Sequence, residues 1–193
     1  MMEQLFPISQ MYQLIDSVNG WLTTAEQTAL LHLPALVDHL DGEIVEIGSF
    51  KGKSTIALGL GSKWISERKR TITAIDPFIT NGYYADYFNE FQQNILNLHL
   101  KNYVSPIKKF SHEAIQDCPS RIAALFIDGD HSYHGVKRDI QLYVPRVIRG
   151  GLIGFHDYTV YPDVERAVDE LCESREFVLV CDYDSLRLIR KLN

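Results

Sequence analysis

Cysteine is scarce in this 193-residue chain, and its three cysteines, Cys118, Cys172 and Cys181, are odd in number and far apart. Their spacing excludes a disulfide framework and matches no zinc motif, so we expect reduced thiols. Apolar runs of about 18 residues, the length of a membrane-spanning helix, are lacking. The N-terminal stretch has no basic region followed by an apolar segment. We therefore expect no secretory signal and a cytoplasmic location.

Positive charge is not in excess either, because 25 acidic residues outnumber 19 Lys and Arg and the net charge is −6. With no basic block, neither a nucleic-acid partner nor a membrane partner is expected. Internal repeats and low-complexity segments are absent from the sequence. A chain of this length usually forms one compact domain and buries roughly 70% of its unfolded surface. We expect a small-molecule ligand, and the apolar N-terminal helices could pack against a second copy in a homodimer.

Strand and helix patterns alternate along most of the chain. Residues 1–40 form a predicted N-terminal helical extension, with a capping box at Thr24 and Gln27 and a break or kink at Pro34. Residues 41–193 form the main domain. Strands are predicted at 44–47, 71–75, 104–107, 123–127, 152–155, 177–181 and 186–190, with helices at 54–66, 86–100, 112–117, 135–147 and 162–174. This order predicts an α/β fold with a doubly wound seven-stranded sheet, mostly parallel, closed by a C-terminal hairpin with one antiparallel strand.

Polar clusters follow four of the predicted strands. In open parallel sheets, ligands bind beyond the carboxyl ends of the strands. Those ends carry the Glu46–Gly52 segment, Asp76, the Asp128–His131 segment and the pair His156 and Asp157. Because these ends lie along one edge of the sheet, the clusters are expected to meet at one site, which indicates an enzyme.

The segment EIVEIGSFKGKS, residues 43–54, indicates a strand, a glycine turn and a helix start. Such a turn directs backbone N–H groups and a helix dipole at a ligand. The spacing G-x-x-x-G differs from the dinucleotide pattern G-x-G-x-x-G and misses the P-loop pattern by one residue. An ordinary strand-to-helix turn is a further alternative. Glu46 favours a ligand with an amino group or cationic centre over a phosphate.

The pattern E-x-G-x-x-x-G resembles motif I of the class I S-adenosylmethionine-dependent methyltransferases. The predicted fold is similar to theirs as well. Asp76, which ends the second strand, is placed to accept hydrogen bonds from ribose hydroxyls, although a turn acid before Pro77 is an alternative. The resemblance implies an S-adenosylmethionine site formed by Glu46, Gly48, Ser49, Gly52, Ser54, Asp76, Ser111 and Asp128.

Two carboxylates and an imidazole in Asp128-Gly129-Asp130-His131 follow a strongly apolar run. Charged groups persist in such a place when they are paired or bind a ligand. Asp128, His156 and Asp157 together form a candidate set of metal ligands. Carboxylates suit Mg²⁺ or Mn²⁺, and the imidazole shifts the preference toward Mn²⁺, Fe²⁺ or Zn²⁺. Alternatively, these side chains only cap loops and bond to backbone N–H groups.

The segments IDGDHSY and GGLIGFHDY resemble the metal-assisted O-methyltransferases of the caffeoyl-CoA and macrocin types, over residues 42–160. The resemblance implies that Asp128, His156 and Asp157 bind the metal and that Asp130 is the general base. His131 stands where the caffeoyl type has a lysine, and His156 departs from the usual acid at its position. The implied reaction is transfer of a methyl group to a small-molecule hydroxyl, with His131 as an alternative base.

Other functions stay open. A P-loop nucleotide-binding enzyme would use Lys53 and Ser54 on phosphates. A non-methylating relative would be an S-adenosylmethionine-binding module or an iron-dependent oxygenase similar to the cephalosporin hydroxylases. Tyr133 and Tyr158 are candidate acceptor-pocket residues by position. The aromatic stretch at 78–91, which includes Tyr83 and Tyr84, lines either a pocket or the core.

Overall fold

A seven-stranded sheet forms the centre of the molecule in the computed structural model, which describes residues 7–79 and 87–193. The strands are β1 (Glu43–Ile47), β2 (Ile72–Asp76), β3 (Val104–Lys108), β4 (Ile122–Ile127), β5 (Val147–Phe155), β6 (Phe177–Tyr183) and β7 (Leu186–Lys191). Their spatial order is β3-β2-β1-β4-β5-β7-β6. Strands β1 to β5 pair in parallel, and β7 is antiparallel to both of its neighbours. The predicted fold is confirmed.

Helices cover both faces of this sheet. They are α1 (Ile8–Asp16), α2 (Thr24–Leu36), α3 (Lys53–Leu60), α4 (Phe88–Asn97), α5 (Ser111–Ala114), α6 (Tyr133–Tyr143) and α7 (Pro162–Cys172). Helices α1 to α4 pack on one face, and α5, α6 and α7 pack on the other. Tyr83 and Tyr84, named above as candidates, lie outside the described residues.

The two sheet faces are apolar because side chains alternate along each buried strand. Ile44 and Phe126 belong to the cluster under α1–α4, whereas their neighbours Val45 and Leu125 belong to the opposite cluster. All six residues of β4 are buried, as expected for the middle of a sheet covered on both sides. No helix in the described ranges is long and apolar enough to cross a membrane.

The N-terminal helices share this core. Met11 and Ile15 of α1 and Leu30 and Leu31 of α2 belong to the same buried cluster as the sheet. The guanidinium of Arg70, which is almost fully buried, donates to the carbonyls of Val37, Leu40 and Gly42 just after α2. These bonds satisfy backbone acceptors at the end of α2 and hold it against the domain.

The capping box of α2 lies one residue earlier than predicted. Thr23, and not Thr24, is the N-cap, because its extended backbone lets Oγ1 accept from the N–H of Glu26 at 3.2 Å. The Glu26 carboxylate in turn accepts from the N–H of Thr23 at 2.8 Å. The predicted partner Gln27 instead donates to Asp16. Pro34 lies in the last turn of α2, which continues to Leu36.

Strands β1 and β4 approach closely at their carboxyl ends. Gly48, with φ +89°, lies against the backbone of Asp128, and a Cβ built on Gly48 would be 1.9 Å from the Asp128 carbonyl oxygen. Only glycine fits both the positive φ and this contact. The absence of a side chain at Gly48 therefore allows the two strand ends to meet.

We expect Gly48→Ala to lower the free energy of unfolding by about 3 kcal/mol or more, because overpacking adds to the cost of a left-handed backbone. Gly150→Ala is the matched control. Gly150 also has a positive φ, +82°, but its added Cβ would lie in ordinary contact, 3.4 Å from Leu40. That variant should lose only about 1 kcal/mol in urea unfolding. Equal losses in the two variants would contradict the close-packing explanation.

Candidate active site

The parallel ladder continues past the strands into the candidate residues. The N–H of Gly48 donates to the Ile75 carbonyl at 2.9 Å, and that of Asp128 donates to the Ile47 carbonyl at 2.8 Å. The N–H of His156 donates to the Ile127 carbonyl at 3.1 Å. These bonds fix the relative positions of the ends of β2, β1, β4 and β5, and so bring the predicted polar clusters together.

The glycine turn is organised from below by Glu46. This fully buried carboxylate accepts from the hydroxyls of Ser49, at 2.9 Å, and Thr55. Its Oε1 has no hydrogen-bond partner. Burial raises the pKa of Glu46 to about 7 against the opposing effect of the nearby hydroxyls. Above the turn, Gly52 has φ +95° and is the N-cap of α3.

Asp76 ties the end of β2 to this turn. It is 7% exposed, and its two carboxylate oxygens accept from the N–H groups of Phe50, at 2.8 Å, and Phe78, at 2.5 Å. Burial raises the pKa of the Asp76 carboxyl, while these backbone hydrogen bonds act in the opposite direction. The N–H of Ser49 also acts on this carboxylate, and one of its roughly four acceptor positions remains for a ligand.

Ser111, the predicted adenosine contact, is bonded to an acid that the sequence analysis missed. Its hydroxyl donates to Asp139 of α6 at 2.5 Å. Asp139 is 3% exposed, and burial raises the pKa of its carboxyl to about 6. Its position between the apolar residues Val136 and Ile140 of α6 was the available signal, because it places an acid on a buried helix face.

Asp128, His131 and Asp157 form a compact cluster of ligand atoms. His131 Nε2 lies 3.5 Å from Asp128 Oδ1 and 3.1 Å from Asp157 Oδ2. The three atoms lie within 4.8 Å of one another. Hydrogen bonding to Asp128 raises the pKa of His131. The ring of His131 stacks on Tyr161 with a centroid distance of 4.5 Å, which fixes its orientation.

His156, which was predicted as a metal ligand, adjoins this three-residue cluster. It is 5% exposed, and its Nδ1 lies 3.1 Å from Asp128 Oδ1 and 3.6 Å from Asp157 Oδ2. Its Nε2 faces Oε2 of Glu26 at 3.3 Å, an ion pair that lacks hydrogen-bond geometry. Burial opposes the charged ring, but the carboxylates of Asp128 and Glu26 prevail and raise the pKa of His156 to about 10.

Glu26 is the second acid that the sequence analysis missed. It is 2% exposed, and Oε1 accepts from both the N–H and the hydroxyl of Ser185 in the β6–β7 turn. Despite burial, the hydrogen bonds of this carboxylate lower its pKa to about 2. Glu26 therefore joins α2, the C-terminal hairpin and His156. A capping box predicts its local role, but nothing in the sequence predicts its distant partners.

A cavity of about 970 Å³ lies over the carboxyl ends of β1, β2, β4 and β5. Ten of the twelve predicted site residues line it: Gly48, Ser49, Ser54, Asp76, Ser111, Asp128, Asp130, His131, His156 and Asp157. The other two, Glu46 and Gly52, lie behind this surface. Tyr133 and Tyr158 do not line the cavity, since their hydroxyls donate to Glu170 and Asp169 on α7. Tyr161 lines it instead.

The strand order, the glycine turn after β1 and the acid at the end of β2 define the class I S-adenosylmethionine-dependent methyltransferase fold. The chain belongs to the methyltransferase domain family, whose sequence profile matches residues 45–158. This match confirms the family resemblance predicted from the motifs.

Similar proteins agree with this fold. An uncharacterized protein of Acanthamoeba polyphaga mimivirus is 35% identical in an alignment 137 residues long, which covers 66% of this chain and 58% of that protein. The chain thus spans less than two thirds of that relative. The structure of the O-methyltransferase NovP has a TM-score of 0.75 and 19% identity, covering 88% of this chain and 80% of NovP. An O-methyltransferase from Bacillus cereus in complex with SAH has a TM-score of 0.70 and 12% identity, covering 96% and 90%.

Glu46 should make stability depend on pH. Between pH 4.5 and about 7 the folded state retains a proton that the unfolded state has lost, so rising pH favours unfolding. The wild type should lose up to about 3 kcal/mol over this window relative to Glu46→Gln, whose amide does not titrate. Urea unfolding of both proteins at several pH values measures the difference. Parallel pH profiles would contradict a raised pKa at Glu46.

Glu26 and His156 should be energetically coupled. In a double-mutant cycle with Glu26→Gln and His156→Gln, we expect a coupling energy of about 1–3 kcal/mol, because each single change leaves a buried charge with one partner fewer. Thr23→Ala, combined with His156→Gln, is the control, since it weakens the same helix cap without removing the ion pair. Additive losses in the Glu26 cycle would show that the contact is not stabilising.

Proposed function

We propose that this protein transfers a methyl group from S-adenosylmethionine to a hydroxyl of a small-molecule acceptor, with the assistance of a divalent metal ion. One observation carries the proposal: a single cavity contains both the glycine turn with Asp76 and the cluster of Asp128, His131 and Asp157. Its volume of about 970 Å³ is at the upper end for small-molecule sites and leaves room for a cofactor and an acceptor.

The turn and the end of β2 fit the cofactor. Asp76 has acceptor capacity for ribose hydroxyls, and Gly48 presents backbone without a side chain at the same wall. Ser111 and the buried Asp139 line the same cavity and would supply polar partners to an adenine ring. Glu46 lies beneath the turn and accepts hydrogen bonds from Ser49 and Thr55, which stabilise the shape of the turn. When bound, S-adenosylmethionine supplies an electrophilic methyl group.

Asp128, His131 and Asp157 are the residues that would hold the metal. Their ligand atoms are about as far apart as neighbouring ligands around one ion, and two carboxylates with one imidazole suit Mn²⁺ and, less well, Mg²⁺. A bound divalent ion would stabilise negative charge on the acceptor oxygen. His156 orients one of these ligands, because its Nδ1 contacts the carboxylate of Asp128. Glu26 in turn contacts Nε2 of the same ring and fixes its position.

We assign the general base to Asp130. It lines the cavity next to the cluster, and the N–H of Ser132 donates to its Oδ1 at 2.9 Å, which orients the carboxylate. His131 is the weaker candidate, because its Nε2 is directed at Asp128 and Asp157. Asp130 would accept the proton of the acceptor hydroxyl as the methyl group is transferred, and such a base typically contributes ~10²–10⁴-fold.

The rival functions lack a supporting observation of this kind. A P-loop would need one more residue between Gly48 and Gly52, and its phosphates would lie above the buried carboxylate of Glu46. An iron-dependent oxygenase would need a second imidazole among its ligands. The described cluster of ligand atoms contains one imidazole, that of His131. The second, His156, contacts Asp128 and Asp157 through Nδ1, but its Nε2 faces Glu26.

Calorimetric titration with S-adenosylmethionine and with Mn²⁺ tests the two halves of the site separately. Asp76→Asn should weaken S-adenosylmethionine binding at least tenfold and leave Mn²⁺ affinity within twofold, because Asp76 lies outside the metal cluster. Asp157→Asn should weaken Mn²⁺ binding at least tenfold and leave S-adenosylmethionine affinity within twofold, because Asp157 belongs to the metal cluster. The expected factors correspond to about 1.4 kcal/mol or more for the loss of one charged hydrogen-bond partner or ligand.

Activity is then read by mass spectrometry of acceptors incubated with the methyl donor, which separates an added methyl group from an added oxygen. A wild-type protein that does not bind S-adenosylmethionine would overturn the methyltransferase proposal. Methyl transfer that persists unchanged in Asp157→Asn and in the presence of EDTA would overturn metal assistance alone.

A further inference from the structure

A second cleft, of about 720 Å³, lies beside the first cavity. Three segments build it: residues 20–23 before α2, the loop after β5, and the β6–β7 turn. The two cavities share six residues in their linings: Gly20, Trp21, Leu22, His156, Asp157 and Val160. A molecule in the second cleft would therefore extend into the first cavity and reach the metal cluster at Asp157.

The floor of the second cleft is a built polar site. Glu26 and His156 line it and are 2% and 5% exposed. His156 Nε2 has no hydrogen-bond partner, although it lies 3.3 Å from Glu26 Oε2. Because Glu26 also accepts from Ser185 and His156 Nδ1 lies 3.1 Å from Asp128 Oδ1, this buried pair is held in place and forms a fixed polar floor.

The exposed indole ring of Trp21 forms one wall of the second cleft. Trp21 is 81% exposed, and its ring stacks on Phe50 at a centroid distance of 5.6 Å. This contact holds the ring at the mouth while leaving most of its surface open. A flat apolar surface of this kind suits stacking against a ring of a ligand.

The charge of the second cleft is one-sided. Among the described residues that line it, Glu26, Asp157 and Asp184 are carboxylates and none is Lys or Arg. Glu26 is compensated by His156, and Asp157 would be compensated by a bound metal ion. Asp184, in the exposed turn, remains uncompensated and accepts only from the hydroxyl of Thr23, at 2.6 Å, among the described contacts. By contrast, Lys53 and Arg138 line the first cavity.

We propose that the second cleft binds the non-reacting part of the acceptor, and that Trp21 and Asp184 select a ring system that is neutral or cationic. Acceptors that carry a phosphate or carboxylate on this part are rejected, because Asp184 repels them, no described Lys or Arg lines the cleft, and the charge of His156 is paired with Glu26. This inference rests on the proposed function, since the reacting hydroxyl is the one that reaches Asp157.

Three catechols with the same ring and a two-carbon side chain test the proposal. They are dopamine, hydroxytyrosol and dihydrocaffeate, whose chains end in an ammonium, a hydroxyl and a carboxylate. The chain has two tryptophans, Trp21 and Trp64, so fluorescence quenching in a Trp64→Phe background reports on Trp21. Titrations with Mg²⁺ present give the dissociation constants. Dopamine should bind roughly tenfold more tightly than dihydrocaffeate, with hydroxytyrosol between them.

Asp184→Asn should reduce that ratio to roughly threefold or less. The change keeps the shape of the side chain and suits the positive φ of this residue, 55°. Asp41→Asn is the matched control, because Asp41 is a highly exposed acid outside the cleft and its loss alters net charge equally. Trp21→Ala, followed by calorimetry, should weaken all three ligands about tenfold without changing their order.

An unchanged ratio in Asp184→Asn, tightest binding of dihydrocaffeate, or no saturation by any of the three probes would overturn the proposal. The result is separable from the proposed function. If the cleft selects ligands by charge but the protein does not bind S-adenosylmethionine, the cleft remains a binding site and the methyltransferase proposal is overturned. If the protein transfers methyl groups but does not select ligands by charge, only the proposed role of the second cleft is overturned.

Discussion

The site depends on backbone hydrogen bonds that continue the parallel ladder beyond the ends of the strands. Gly48, Asp128 and His156 each donate to a carbonyl at the carboxyl end of the neighbouring strand, so residues from three separate motifs acquire fixed relative positions. This arrangement requires close approach of β1 and β4, which the missing side chain of Gly48 permits. Side-chain chemistry at the sheet edge therefore rests on backbone geometry within the sheet.

The buried ion pair of Glu26 and His156 connects the edge of the sheet to helix α2 and to the C-terminal hairpin. Glu26 accepts from Thr23 at the start of α2 and from Ser185 in the hairpin, and it faces His156 beside Asp128. A buried carboxylate with these partners is stable as an anion, and the imidazole next to it is stable as a cation. The N-terminal helices therefore contribute a polar group to the site in addition to covering one sheet face.

Much of the fold could be predicted because its signals are local. Apolar runs such as Ile122–Ile127 mark buried strands, and an acid or glycine directly after each run marks the edge where ligands bind. The cavity residues Asp76, Asp128 and Asp157 were found in this way. The prediction was less accurate where neighbouring residues compete for one role, as at the α2 cap, where Thr23 with Glu26 prevailed over Thr24 with Gln27.

The sequence by itself determined the order of strands and helices, the glycine turn and the polar residues at the strand ends, because each is encoded by residues close together in the chain. Only the tertiary structure decided which acids and imidazoles meet. It placed His156 between Glu26 and the acids Asp128 and Asp157. It also brought His131 to the same two acids and left Asp139 beneath Ser111. The physical reason is that hydrogen bonds and ion pairs between distant residues depend on distances of a few tenths of an ångström, which helix packing sets and local patterns do not record.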